Sequence, residues 1–388
     1  MKRPRISLLG KIVIAISLGI LCGLWFPEWL SRVFATFNGL FGNFLGFIVP
    51  LLIVGLVVPG IAEVGKGAGR LLAITALLAY GFTLFSGFFT WGTCELVYPT
   101  LLRGASLADV GEASNNFTPY FTVEMPPILS VMSALVAAFV IGIGLTIIEG
   151  TTLKKGFDDF KDIIIKTIEG VIIPLLPLYI FGIFLSMTTN GQVVSVLGVF
   201  LKLIVVIFLM TAVLLLLQFS VAGIVSKRNP LKMIRTMMPA YFTALGTSSS
   251  AATIPVTLKQ TIKNNVSPSI AGFVVPLCAT IHLSGSTLKI VSCSLALMIL
   301  TGMSVDPLTM VGFIFMLGIT MVAAPGVPGG AIMAAVGILQ SILGFDQTTL
   351  GLMIAIYIAM DSFGTATNVT GDGAIAVIID KLAQKEKK

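Results

Sequence analysis

This chain is poor in charge. Of its 388 residues, 11% are charged and 56% are hydrophobic, and the mean hydropathy is +1.03. A water-soluble domain carries about 25% charge, so a soluble enzyme or binding module is excluded. Cysteine is scarce as well. Cys22, Cys94, Cys278 and Cys293 lie apart among apolar residues, form no Cys-x-x-Cys pair, and read as small buried hydrophobes. The only histidine is His282. No serine sits in a Gly-x-Ser-Gly motif, and Val369-Thr370-Gly371-Asp372 is not Gly-x-Gly-Asp. Both omissions argue against an intramembrane protease. The net charge of +7 is spread over short loops and is no nucleic-acid signal. No Ala-x-Ala cleavage site follows the basic start, so Leu8 to Phe26 reads as a retained first helix, not a leader.

What is present is a series of apolar runs near or above the roughly 20 residues that span a bilayer. They cover residues 7–27, 36–62, 70–97, 125–148, 162–188 and 195–226. Forty glycines let such helices approach closely in lipid. The region 99–124, with Asp109, Glu112, Asn115 and Asn116, reads as a polar external loop. Lys2, Arg3 and Arg5 begin the chain, and the tail 381–388 ends it in lysines. Between them, Lys66 with Arg70, Lys154 with Lys155, and Lys227 with Arg228 mark cytoplasmic loops, Arg32 and Arg103 being exceptions. This places a multi-pass protein in the plasma (cytoplasmic, or cell inner) membrane with both termini cytoplasmic.

The texture changes after Asn229-Pro230. Regions 231–263 and 305–345 hold apolar arms separated by small polar breaks, Gly246 to Pro255 in the first and Ala324 to Gly330 in the second. The arms are short for spans, so both regions read as re-entrant helix–break–helix hairpins. Irregular backbone at membrane depth is tolerated where it is buried in protein or lines a cavity. Each hairpin is followed by a helix with its own polar break: His282-Leu283-Ser284-Gly285-Ser286 after the first, and Asp361 to Asp372 after the second. Paired Gly/Pro-interrupted segments in two halves point to a transport site between inverted repeats.

The second break carries the densest chemistry. A carboxylate at the bilayer centre costs roughly 3 kcal/mol on insertion scales. Asp361, Asn368 and Asp372, spaced by seven and four, fall close to one helix face and form a cation and polar-ligand site. In the first hairpin, Ser248, Ser249, Ser250 and Thr253 offer hydroxyls, and the helix N-terminus beyond them offers backbone N–H groups that suit a carboxylate. In the second, Pro325, Gly326, Pro328, Gly329 and Gly330 force an unwound tip that can act as a gate. His282 can carry a proton. Lys289, two turns on, either snorkels or neutralises a carboxylate.

Together these elements resemble the dicarboxylate/amino acid:cation symporter family, the glutamate-transporter fold, across essentially the whole chain. The specific matches are Ser249 to Pro255, Gly326-Val327-Pro328-Gly329 and Asn368-Val369-Thr370-Gly371-Asp372. The resemblance implies an all-α polytopic membrane protein with eight transmembrane helices, two re-entrant helical hairpins, inverted repeats and an elevator-type homotrimer. It implies scaffold helices 1–2 in 1–66 and transport-domain helix 3 in 67–98. The external loop and scaffold helices 4–5 occupy 99–190, and the rest of the transport domain 191–388. Asp361 then falls where the substrate amino group is held, and Asn368 where the substrate carboxylate and a sodium site are served. Asp372 falls at a sodium-ligand aspartate. Ser249, Ser250 and Val327–Gly329 match carboxylate contacts, and Thr365 lines the side-chain pocket.

Two departures stand out. Members for acidic amino acids carry an arginine where this chain has Gly364, and neither hairpin tip holds an arginine. A planar guanidinium is the natural reader of a second carboxylate, so a neutral substrate side chain is expected. His282 to Ser286 stands where the family has Asn-Met-Asp-Gly-Thr. Ser284 thus replaces a cation-ligating aspartate, with Thr83 and Tyr80 as further candidate cation ligands. The expectation is a symporter, not an enzyme, with no cofactor and Na+ and/or H+ as coupling ion. The alternative is a proton-coupled symporter of a dicarboxylate or an acidic amino acid.

Overall fold

The computed structural model describes residues 8–65, 70–103, 117–148, 150–189, 191, 193–304, 306–326 and 328–386. Those residues form helices joined by short turns and one extended segment, with no strand among them. In chain order the helices are α1 (Leu8–Gly23), α2 (Glu28–Gly65), α3 (Arg70–Leu101), α4 (Val131–Ile147) and α5 (Thr152–Thr167). A π-helical turn, Ile168–Ile172, leads into α6 (Ile173–Thr189) and then α7 (Val193–Ser226). The second half contains α8 (Pro230–Thr247), α9 (Ser250–Lys263), α10 (Pro268–Ile281) and α11 (Ser284–Leu300). It ends with α12 (Pro307–Val322), α13 (Gly330–Ser341), α14 (Gln347–Ala359) and α15 (Asp361–Glu386).

Among the described residues, five helical runs are long and apolar enough to cross a membrane: Glu28–Ala62, Leu71–Leu101, Thr152–Thr189, Val196–Ser226 and Pro268–Leu300. α14 and α15, bent by 60° at their junction, add a sixth if taken as one span. The chain is therefore a polytopic helical membrane protein.

Some boundaries differ from those the apolar runs suggest. The run 125–148 becomes helix only at Val131, and Pro126 and Pro127 disfavour helical backbone at the residue before each of them. Ser130 then caps α4, its Oγ accepting from the Ser133 N–H at 3.1 Å. Lys154 and Lys155 lie in the first turn of α5, not in a loop. That charged helix continues into the apolar α6, and the π turn absorbs the N–H missing at Pro174. Of the external loop, 104–116 lies outside the described residues. Its end is strapped to α2: the Arg32 Nε donates to the Thr118 carbonyl at 2.9 Å and the Tyr120 N–H to Thr36 Oγ1 at 2.8 Å.

Packing groups the helices. α1 lies along α6, and α2 packs on α4, α5 and α6. Gly19 permits the first contact, since a Cβ there would sit 2.7 Å from the Phe181 carbonyl oxygen. α15 is surrounded by α7, α8, α9, α10 and α11, while α3 packs on α11 and α12. Thus α15, with its polar residues, runs through the middle of the second half and is buried from Ala366 to Asp380.

Two helix pairs flank it. α8 and α9 are joined by Ser248 and Ser249, with Ser248 at φ 50°. α12 and α13 are joined by residues 323–329, with Gly329 at φ 75°. Each pair is followed by an interrupted helix, α10–α11 at His282 and Leu283, and α14–α15 at Met360. The order pair–interrupted helix thus occurs twice.

Candidate functional site

The breaks and the hairpin tips converge. Asp361 begins α15 just past the bend, with only 7% of its surface exposed. Its Oδ2 accepts the Gly329 N–H at 2.8 Å, tying it to the second hairpin tip. Its Oδ1 is 3.6 Å from the Lys289 ammonium, which comes from α11. That ammonium also donates to the carbonyls of Met360 at 3.1 Å and Asp361 at 3.3 Å, and sits 4.0 Å from the Tyr357 ring centre. At 3.6 Å two unit charges attract by about 5 kcal/mol at an effective dielectric of about 20. Desolvation offsets much of this, so the backbone bonds and ring face are what make the buried ammonium tolerable. Lys289 therefore neutralises a carboxylate; it does not snorkel.

Gly364 explains why the ammonium fits. A Cβ on this residue would lie 2.2 Å from Cε and 2.3 Å from Nζ of Lys289. The position that lacks an arginine is thus filled by a lysine from the neighbouring helix. Thr365 stays with its own helix, its Oγ1 donating to the Asp361 carbonyl at 3.1 Å.

Asn368 serves the other break. α11 begins after Leu283, whose side chain cannot accept a hydrogen bond, so its first N–H groups need a partner from elsewhere. Asn368 Oδ1 supplies it, accepting from the Gly285 N–H at 2.8 Å and the Ser286 N–H at 3.4 Å. Its Nδ2 donates to Ser286 Oγ at 3.1 Å. The asparagine caps α11 from across the helix interface.

Asp372 meets His282 one layer on. His282 Nδ1 and Asp372 Oδ1 are 2.9 Å apart, and both side chains are buried. Asp372 Oδ2 and His282 Nε2 find no partner among the described residues. Nearby, the Gln218 Nε2 donates to Ser284 Oγ at 3.0 Å, while Gln218 Oε1 is also unpartnered. A buried carboxylate oxygen with no donor is costly, and it suits a bound cation. Among the described residues, no three His, Cys, Asp or Glu side chains converge. A cation here would rest on one carboxylate together with hydroxyl and carbonyl oxygens.

The two hairpin tips touch. Ser249 caps α9 through the Ala252 N–H at 3.3 Å, and its Oγ donates to the Gly326 carbonyl at 3.0 Å. Ser250 is buried at the start of α9, and Pro328 is half-buried beside Gly329. Val327 lies outside the described residues. Two candidates point elsewhere. Thr83 Oγ1 donates to the Ala79 carbonyl of its own helix at 2.8 Å, and the Tyr80 hydroxyl reaches the Phe315 carbonyl on α12 at 3.5 Å. The α3 residue that does reach the break is Ser86, whose Oγ donates to the Ser284 carbonyl at 2.7 Å. Gln218, an amide after four consecutive leucines, was visible as an anomaly in the sequence; Ser86 and Tyr357 carried no such signal.

Broken helices and hairpin tips that enclose buried charges fit a membrane transporter, and the proteins this chain is similar to are transporters, not enzymes. The chain belongs to the sodium:dicarboxylate symporter family, whose model matches residues 8–382. It is 26% identical over 397 residues to a serine/threonine transporter SstT of Acinetobacter baylyi, covering 98% of both chains. It is 28% identical over 394 residues to the SstT of Acinetobacter baumannii strain AYE, covering 97% of each. It is also 30% identical over 305 residues to excitatory amino acid transporter 1 of Rattus norvegicus, covering 74% of this chain and 54% of that one.

Proposed function

We propose that this protein is a secondary active symporter of an amino acid with a neutral side chain, driven by a cation. The observation that carries this reading is a chain of contacts: Asp361 bonds to the second hairpin tip, that tip bonds to the first, and Asn368, about two turns along α15, bonds to the facing break. Asp361 anchors the substrate ammonium. The Ser249–Ser250 and Val327–Gly329 tips and the Asn368 amide receive the carboxylate. Thr365 and Gly364 border the side chain, and Gly364 offers no side chain to an acidic group. The serine/threonine transporters among the relatives support a small neutral substrate.

Na+ is the favoured coupling ion, as the family's description supports, with Asp372 Oδ2 as its principal ligand and Asn368, Ser284 and His282 around it. Thr83 and Tyr80 belong to this proposed set only if α3 shifts. H+ carried with His282 is the alternative. In this reading α1 and α4, of 16 and 17 residues, complete eight spans, and α8–α9 and α12–α13 are re-entrant. Residues 1–66 and 99–190 form the scaffold, 67–98 and 191–388 the sliding domain, and three copies assemble as independent elevators. The protein sits in the plasma membrane with both termini cytoplasmic.

One observation favours a second reading, transport of an acidic amino acid or dicarboxylate: the Lys289 ammonium stands beside Gly364. Thermal-shift screening of the purified protein separates the two, because ligands of the native state stabilise it by mass action. Serine, threonine or alanine with sodium should stabilise most. Greater stabilisation by glutamate or succinate would replace the first reading by the second. Proteoliposome uptake under imposed sodium or proton gradients tests coupling, and uptake indifferent to both gradients would end that claim.

A further inference from the structure

We propose that Lys289 is a tethered stand-in for the substrate's ammonium group: it neutralises Asp361 while the hairpin tip is closed, and yields that carboxylate when an amino acid binds. The inference rests on Asp361 as the amine anchor and extends that reading to how the carrier returns.

The geometry of the ammonium supports an exchangeable partner. Lys289 is held firmly by two backbone carbonyls, at 3.1 and 3.3 Å, and by the face of Tyr357. Its distance to Asp361 Oδ1 is 3.6 Å, an ion pair longer than a hydrogen bond. The carboxylate is therefore neutralised by an ammonium that makes no hydrogen bond to Oδ1. Asp361 Oδ2 meanwhile holds the Gly329 N–H of the hairpin tip. One carboxylate thus links the gate on one side to a built-in cation on the other. Gly364 is the second half of the device, because any Cβ there would displace the ammonium. The acceptors around the ammonium belong to this chain, so it is placed as a counter-ion of Asp361 and not as a reader of a substrate's second carboxylate.

A carrier whose amine anchor carries its own counter-ion can close and cross without cargo. Net uptake needs that return step; exchange of internal for external substrate does not. Lys289→Met should therefore separate the two activities. Wild type and K289M are reconstituted in proteoliposomes, and labelled L-serine entry is followed under a sodium gradient into empty and into serine-loaded vesicles. In K289M, exchange should stay within about threefold of wild type while net uptake falls at least about tenfold. Serine should also bind K289M more tightly, since its competitor is gone. Adding ethylammonium to Lys289→Ala should restore net uptake, and this arm serves if K289M does not fold. Equal loss of both activities, no change in either, or no rescue by ethylammonium overturns the inference. Wild type that moves no amino acid overturns the proposed function itself, whereas an active wild type with an unchanged K289M overturns only the role of Lys289.

Discussion

Replacing Gly364 with alanine should destabilise the protein, but only while Lys289 is present. In a helix interior this change ordinarily stabilises by about 1 kcal/mol. Here the new methyl group would lie 2.2 Å from Cε and 2.3 Å from Nζ of Lys289, so the ammonium must withdraw. Moving the ion pair from 3.6 Å to about 5 Å loses roughly 1 kcal/mol at an effective dielectric of about 20. The two bonds to the Met360 and Asp361 carbonyls break, at about 1.5 kcal/mol each for a charged donor. Leaving the Tyr357 ring costs about 1 kcal/mol more. New partners for the ammonium and the better helix former return part of this, leaving a net loss of about 2–4 kcal/mol. The melting temperature in detergent should fall by roughly 3–6 °C. In a Lys289→Ala background the same methyl meets no ammonium, so G364A should raise the melting temperature. An equal fall in both backgrounds would refute the argument, because it would show that the cost of the methyl owes nothing to Lys289.

Asn368→Ala removes the cap that α15 provides to α11 and should cost about 1–3 kcal/mol. Hydrogen exchange should show lost protection first at Gly285 and Ser286; unchanged protection there would contradict the cap. Gly330→Ala places a Cβ 2.2 Å from the Pro325 carbonyl oxygen, a backbone atom that cannot swing aside. A spin-label distance between the two hairpin tips should lengthen in this variant, and an unaltered distance would show that the tip tolerates the methyl. Asp372→Asn removes the charge on the unpartnered Oδ2. Sodium should then stabilise the protein less, and substrate binding should weaken through its coupling to the ion. Sodium stabilisation equal to wild type would take Asp372 out of the ion site.

The punctuation of the second half was legible in the sequence because its breaks are local. Ser248 and Ser249, Pro325 to Gly329, His282 and Asp361 are residues that interrupt helices by their own chemistry, and the structure breaks at or beside each of them. What sequence could not provide was the content of a space. Gly364 read as an absence of positive charge, and along α15 it is one. Its meaning depends on α11, some seventy-five positions earlier, which fills the gap with Lys289. Asn368 shows the same limit from the other side. Its amide is expected to meet a ligand carboxylate, and nothing along α15 shows that Oδ1 also caps a helix N-terminus whose first residue, after Leu283, lacks a local cap. Thr83 and Tyr80 follow from the family resemblance alone, and the α3 hydroxyl that meets the break is that of Ser86, which donates to the Ser284 carbonyl.

The register between α11 and α15 ties these observations together. The two segments run antiparallel: His282 meets Asp372, Gly285 meets Asn368, and Lys289 meets Asp361. Asp361 and Asp372 are eleven residues apart on unbroken helix, a rise of about 16.5 Å. His282 and Lys289 are seven apart, which on continuous helix is only about 10.5 Å. With both segments helical, one of the two side chains would miss its carboxylate by about 6 Å. His282 and Leu283 lie outside helical geometry, at φ −107°, ψ 99° and φ −122°, ψ 42°. Extended backbone rises about 3.3 Å per residue against about 1.5 Å on a helix, so the extended His282 recovers about 2 Å of the shortfall, and the long Lys289 side chain closes the rest. The break at 282–283 therefore does more than free backbone groups inside the membrane. It brings the spacing of His282 and Lys289 closer to that of the two carboxylates, and a sequence that restored continuous helix there would lengthen the reach that Lys289 has to make.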